Sequence, residues 1–369
     1  MSVDPRTAPN VDALRYHGDV AARDATLDFA VNVRGTMPEW LRQTILKAVD
    51  QLTPYPDSAL DLKVREALGR LHERPADEVL LLAGVAEGFS LLPDLERAPT
   101  IIYPQFTEPE AAFAAAGKPV RRFLVPEPFV LDDAVVGQLR DSAHEMIIVG
   151  NPTNPTGVLH SRERIAKLTE LADLVVVDEA FMDVTGHCDQ VTVAGVRNPK
   201  LLVFRSMTKT WSIAGLRCGY ALGATEVLAK LARRRPHWPV GTLQLSAMLA
   251  IAEHSATELP GIRAEVAKAR GDMASLLESA GWRVLPSEGP FLLVQPLGTD
   301  RSDSAETEKI RLALAERGIA VRRCDTFPGL DSSYWRLAVR GTADVGTLVD
   351  SVRQIKCCEE PRRSPPRSS

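Results

Sequence analysis

Six short apolar runs, separated by helix-like stretches, constrain the fold of this chain more than any other feature. They are VLLL (79–82), TIIY (100–103), MIIVG (146–150), LVVVD (174–178), LLVF (201–204) and CGYAL (218–222). Each is bounded by turn formers, and none alternates apolar with polar residues as a strand with one wet face would. Helix-like segments lie between many of them, around 86–95, 108–116 and 161–172. Strands apolar on both faces and interleaved with helices predict an α/β architecture, with a mostly parallel sheet covered by helices on both sides. This large domain runs from about residue 45 to 240.

The texture then changes. Residues 241–280 read as connecting helices with a break near Pro260 and Gly261, and 281–356 as a smaller α+β domain. Its strands are WRVLP (282–286), FLLVQ (291–295), IAVRR (319–323) and YWRLAVR (334–340), with helices near 303–317 and 343–356. The tail 357–369, CCEEPRRSPPRSS, reads as disordered.

At 369 residues the chain can bury a large core without disulfides or metals. Forty-four Lys and Arg against 48 Asp and Glu give no basic field, which excludes nucleic acid as the expected partner. The five cysteines are scattered and lack a CxxC, which predicts no disulfide framework and no metal site, and suits a reducing cytoplasm. No basic-then-apolar leader and no apolar run of about 18 residues is present, so neither export nor a membrane span is expected.

The chemistry-bearing residues follow the strands. Asp178 ends LVVVD, and in an open α/β sheet the carboxyl end of a strand opens on the ligand crevice. Asn154 sits in NPTNPTG (151–157), a rigid turn straight after MIIVG. Lys209, in RSMTKTWSIAGLRCGY (205–220), follows LLVF; a desolvated lysine near cations is a competent amine nucleophile. Ser206 and Thr208 beside it can donate to a phosphate, and Arg217 offers a fixed cation. Gly84, Val85 and Ala86 open a helix after VLLL, where backbone N–H groups suit an anion. Phe106, after TIIY, can stack on a flat ring. Arg336 lies on the face of YWRLAVR opposite Trp335 and Leu337, and an inward arginine there demands an anion such as a carboxylate. Pyridoxal 5′-phosphate (PLP) makes these demands together: a lysine, an acid at the pyridinium nitrogen, a donor at the phenolate oxygen, an aromatic face and a phosphate nest. A simple dinucleotide-binding protein is disfavoured, because no GxGxxG follows a first strand.

NPTNPTG, DEAF, SMTK and GLRCGY, in this order, resemble the class I/II aminotransferases of PLP fold type I. Within that group the chain is similar to the branch shared by histidinol-phosphate aminotransferases and threonine-phosphate decarboxylases of cobalamin synthesis, over roughly residues 15–356. The resemblance implies a seven-stranded large-domain sheet and an N-terminal segment, 1–44, that joins the small domain. It implies Lys209 as the Schiff-base and proton-shuttling lysine, Asp178 on the pyridinium, Asn154 on the phenolate oxygen, Phe106 on the ring, and Val85, Ala86, Ser206, Thr208 and Arg217 on the phosphate. Arg336 would hold a substrate carboxylate and Arg322 a substrate phosphate, with His17, in RYHGD, and Asn32 also near substrate. Tyr55, in PYP, matches a tyrosine that reaches the neighbouring subunit's cofactor, which implies a homodimer with shared sites.

The reaction is less tightly specified. RYHGD, RRCDTFPGLDSSYWRLAVR, and Phe181 in place of a usual tyrosine resemble the decarboxylases. Arg34 and Gly35 depart from the usual Asn-Pro. Transamination of a small phosphorylated amino acid or amino alcohol is expected first, threonine-phosphate decarboxylation second, and a non-catalytic regulator of the same fold third.

Overall fold

The computed structural model describes residues 14–296 and 303–359. The strands, in chain order, are β1 (Leu27–Asp28), β2 (Val79–Leu82), β3 (Pro99–Tyr103), β4 (Arg121–Leu124), β5 (His144–Gly150), β6 (Ala172–Asp178), β7 (Leu201–Ser206), β8 (Gly219–Gly223), β9 (Arg283–Val284), β10 (Phe291–Gln295), β11 (Ile319–Ala320), β12 (Arg322–Arg323) and β13 (Trp335–Ala338).

Seven of them form one sheet in the order β2-β8-β7-β6-β5-β3-β4. Only β8 runs against its neighbours, β2 and β7; the other pairings are parallel. The six apolar runs are six of these strands. The seventh, β4, is RRFL at the sheet edge; its residues are mostly exposed, so it carries no apolar signal.

The uniform apolarity of the central strands has a direct cause. Ile147 of β5 and Val175 and Val177 of β6 enter one core with Leu41, Leu68 and Trp211. Ile148 and Val176, one position along, enter the core on the other face with Phe89, Phe113 and Phe204. Each such side chain contributes about 1.5–3 kcal/mol when fully buried, so a polar residue on either face would be costly.

The second lobe holds the antiparallel sheet β12-β13-β10-β9. The predicted strand IAVRR divides in two: β11 leaves to pair in parallel with β1, Leu27 against Ile319, while β12 pairs with β13. Trp335 and Leu337 of β13 point into the small-lobe core with Phe29, Met273 and Trp282.

The expected break near Pro260 is absent. A single helix of 38 residues, Thr242–Ser279, runs through it. An interior proline costs about 3 kcal/mol. Packing at both ends outweighs that cost, since Met248 and Ile251 lie in the large-lobe core and Met273 and Leu277 in the small-lobe core. The final helix, Thr342–Glu359, also extends past 356 into the segment expected to be disordered; residues 360–369 of that tail lie outside the described residues.

Candidate active site

Four neighbouring strands in the order β7-β6-β5-β3 end on the same side of the sheet. Their C-terminal ends deliver Lys209, Asp178, Asn154 and Phe106 respectively. Register ties them further: Gly150 pairs with Asp178, and Asp178 with Phe204.

Lys209 and Asp178 titrate as partners. Burial pulls the Lys209 ammonium down to about 8, opposed by the Asp178 charge and aided by Arg336 and Arg217. Burial lifts the Asp178 carboxyl to about 6, against a hydrogen bond from Ala180 N at 3.0 Å and the Lys209 charge. The Lys209 Nζ lies 5.4 Å from the ring centre of Phe181, which packs edge-on against Phe291 at 5.0 Å.

The turn 151–160 is closed by Asn151, whose Oδ1 accepts from His160 N at 2.8 Å and whose Nδ2 donates to His160 O at 3.1 Å. Asn154 is thereby held at its tip, buried, with Oδ1 accepting from Arg336 Nη1 at 2.9 Å. Its Nδ2 remains as the donor for a ligand.

Arg336 and Arg322 are directly opposite across β13 and β12. Both are buried, and neither has a carboxylate partner among the described residues. Arg336 Nη2 donates to Ala30 O, and its Nε has no partner. Burial, then the Arg322 charge, pulls Arg336 down to about 9. Arg322 lies between the rings of Tyr16 and Phe327, at 4.9 and 4.6 Å, and donates to Tyr16 O and Arg323 O, each at 2.7 Å. Two like charges facing each other in a buried strand pair repel, so the pair is set for an added anion. Asn32 is buried with both amide atoms unpartnered.

The groups expected around a phosphate also converge. Ser206 Oγ and Thr208 Oγ1 lie 2.7 Å apart. Arg217 lies against Gly84, which has φ +80°; a Cβ there would sit 2.9 Å from Arg217 Nη2. Glycine thus lets the guanidinium rest on the turn that opens the helix Val85–Leu91. Hydroxyls, a guanidinium whose one bond among the described residues is from Nη1 to Ala214 O at 3.1 Å, an amide donor, a lysine and a carboxylate form a donor set that fits PLP.

The remaining predicted residues lie as follows. Phe106 is 5.4 Å from the ring of His17, whose Nε2 is 2.5 Å from Glu108 Oε1. A Cβ on Gly18 would overlap the Ala30 carbonyl oxygen, so the His-Gly step lets this segment approach Arg336's acceptor. Tyr55 is 73% exposed and stacks on Trp238 at 4.3 Å. Arg34 turns to Glu265, and its carbonyl accepts from Ser212 Oγ, three residues beyond Lys209. Sequence reading missed Ala30, whose role is a backbone carbonyl and leaves no signature. It also missed Arg340, although alternation along YWRLAVR puts it on the side of Arg336.

Comparison with known proteins gives the family and the fold. A histidinol-phosphate aminotransferase of Mycobacterium tuberculosis is 44% identical over 333 residues, covering 89% of this chain and 87% of that protein. A threonine-phosphate decarboxylase of Salmonella typhimurium is 29% identical over 345 residues, covering 90% and 92%. The structure of a histidinol-phosphate aminotransferase from Sinorhizobium meliloti, solved in complex with pyridoxal-5′-phosphate, superposes with a TM-score of 0.80 at 19% identity, covering 96% of this chain and all of that one. The pattern of the family "Aminotransferase class I and II" matches residues 26–352, and the chain belongs to that family.

Proposed function

We propose that this enzyme transfers the amino group of a small phosphorylated amine of the histidinol-phosphate type, with PLP held on Lys209. The observation that carries the substrate class is the buried pair Arg322 and Arg336, two facing cations without a carboxylate partner among the described residues, one of which bonds Asn154. A phosphate and a carboxylate, on one substrate or on the two partners of a transamination, supply the missing anions.

When bound, PLP supplies the electron sink at the substrate's α-carbon. The chain's residues do the rest. Asp178 would keep a proton at the ring nitrogen, Asn154 Nδ2 would donate to the phenolate oxygen, and Phe106 would cover the ring. Ser206, Thr208, Arg217 and the N–H groups of Val85 and Ala86 would hold the phosphate. The Lys209 amine would move the proton at the α-carbon, and its lowered proton affinity suits that task.

Threonine-phosphate decarboxylation is the second reading, favoured by the 29% match and by Phe181. One experiment separates the two. The PLP-loaded protein is given histidinol phosphate with 2-oxoglutarate, and separately threonine phosphate alone. Glutamate from the first supports the proposal. CO₂ from the second, without glutamate from the first, replaces it with decarboxylation.

We also infer a homodimer with shared sites. Tyr55 and Trp238 form an exposed aromatic stack, and Leu46, Val49 and Leu52 are 46–49% exposed nearby in sequence. Mixing Lys209→Ala and Tyr55→Ala subunits should restore activity to the hybrid, and a monomer in sedimentation equilibrium would refute the inference. Cytoplasmic residence fits Cys188, Cys218, Cys324 and Cys357, none of which is paired in a disulfide. Among the described residues, no helix is long and apolar enough to cross a membrane.

A further inference from the structure

We propose that Arg340 is a positioning residue for Arg336, acting through the backbone of residues 28–33. This rests on the reading that Arg336 holds a carboxylate.

Arg340 spends its guanidinium on main-chain oxygens. Its Nε donates to Asp28 O at 2.7 Å, its Nη2 to Val31 O at 2.8 Å, and its Nη1 to Val339 O at 3.0 Å and Val33 O at 3.4 Å. The Asp28 carboxylate is 3.9 Å from Nη2, too far for a hydrogen bond, and works on the same segment from within. Its Oδ1 accepts from Ala30 N at 2.7 Å and Val31 N at 3.0 Å. Phe29, between them, donates to Ala320 O and accepts from Ala338 N, each at 2.8 Å.

The segment is therefore a strap whose carbonyls at 28, 31 and 33 belong to Arg340, while the carbonyl at 30 belongs to Arg336. Arg336 has two acceptors for three nitrogens, Asn154 Oδ1 and Ala30 O, with Nε unpartnered. Its aim is set by where those acceptors stand. Asn154 is fixed by its turn, and Ala30 by the strap. Arg340 also grips the carbonyls on either side of Asn32, the buried amide with no partner. Without Arg340 three carbonyls lose their donor at once, and the strap that orients Arg336 is released.

The consequence differs between the two substrates of a transamination. A phosphorylated amine keeps an anchor on Arg322. Histidinol phosphate carries no carboxylate for Arg336, whereas the α-carboxylate of 2-oxoglutarate or glutamate takes it as its cation. A residue that only supported the fold would weaken both equally.

The test uses the PLP-loaded Arg340→Gln enzyme, with Arg340→Lys as the conservative variant. Arg340→Gln should raise the KM for 2-oxoglutarate about tenfold, with a smaller rise for histidinol phosphate, and Lys should recover part of the loss. In the same protein without substrate, deuterium uptake over residues 27–34 should accelerate while that of β5–β7 stays as in wild type. Equal changes in both KM values, or unchanged uptake over 27–34, overturn the proposal. Should Arg340→Gln fail to accumulate, Arg340→Lys carries both measurements, with smaller shifts in the same direction. A wild-type protein that never takes up PLP refutes the functional reading instead; uptake over 27–34 then still decides whether Arg340 holds the strap.

Discussion

The Nη1 of Arg336 donates to Oδ1 of Asn154 at 2.9 Å, joining a residue of the small lobe to the tip of a large-lobe turn. That bond orients the amide and leaves Nδ2 as the end free to donate. Asn154→Ala should lower kcat/KM about 100-fold, the usual effect of deleting one donor at a developing charge. Asn154→Asp should do worse, because a carboxylate there also neutralises Arg336; the sign of this added effect is a raised KM for the carboxylate substrate that Ala does not show. Steady-state kinetics of both variants checks it.

Lys209→Ala should abolish turnover, by about a thousandfold or more. Borohydride treatment of the PLP-loaded wild type should leave a covalent adduct on the Lys209 peptide in the mass spectrum, and the variant should show none. An adduct on another lysine would displace Lys209 from its role.

Asp178 makes a prediction about stability. Its carboxyl is raised from 3.8 to about 6 in the fold. The folded state therefore binds the proton more tightly than the unfolded chain. This site's favourable contribution is full below the ordinary value and is lost as pH rises through about 6. Asp178→Asn should stabilise the PLP-free protein at pH 7.5 by roughly 1–3 kcal/mol, and not at pH 4, while destroying activity. Thermal melts at the two pH values are the measurement.

Phe181 presents a ring, with no hydroxyl, 5.4 Å from the Lys209 amine. On the proposed function, Phe181→Tyr would add a donor for the phenolate oxygen, which favours the charged oxygen. The pH at which the visible band of the PLP-loaded enzyme titrates should fall, read by absorbance across a pH series. No movement would mean that the new hydroxyl points elsewhere.

Arg322→Ala should raise the KM of a phosphorylated substrate by about 10- to 100-fold, and that of its dephospho analogue much less. Equal effects would make Arg322 a support for Tyr16 and Phe327 rather than a phosphate contact.

The sheet was legible because its strands are apolar on both faces; β4 was not, because an edge strand reading RRFL resembles a loop. The placing of Lys209, Asp178 and Asn154 was legible because each ends or follows such a strand, so local sequence fixes which end of the sheet it occupies. Arg336 was readable as a lone inward arginine, but its company was not. Ala30, Gly18 and Arg340 come together only through pairing across most of the chain, and carbonyls carry no sequence signal. Pro260 misled for the opposite reason: a local breaker was outvoted by two cores at a distance.

The parallel pair β1–β11 links residues nearly 300 positions apart; Thr26 bonds Gly318 across 292 residues. During synthesis the stretch around Asp28 emerges well before its partners and waits. Those partners, β11 and β13 and the arginines that grip it, follow nearly 300 residues later. A truncated chain can pack its central sheet and still lack a formed carboxylate site. Competence to bind substrate thus reports that synthesis has passed Arg340.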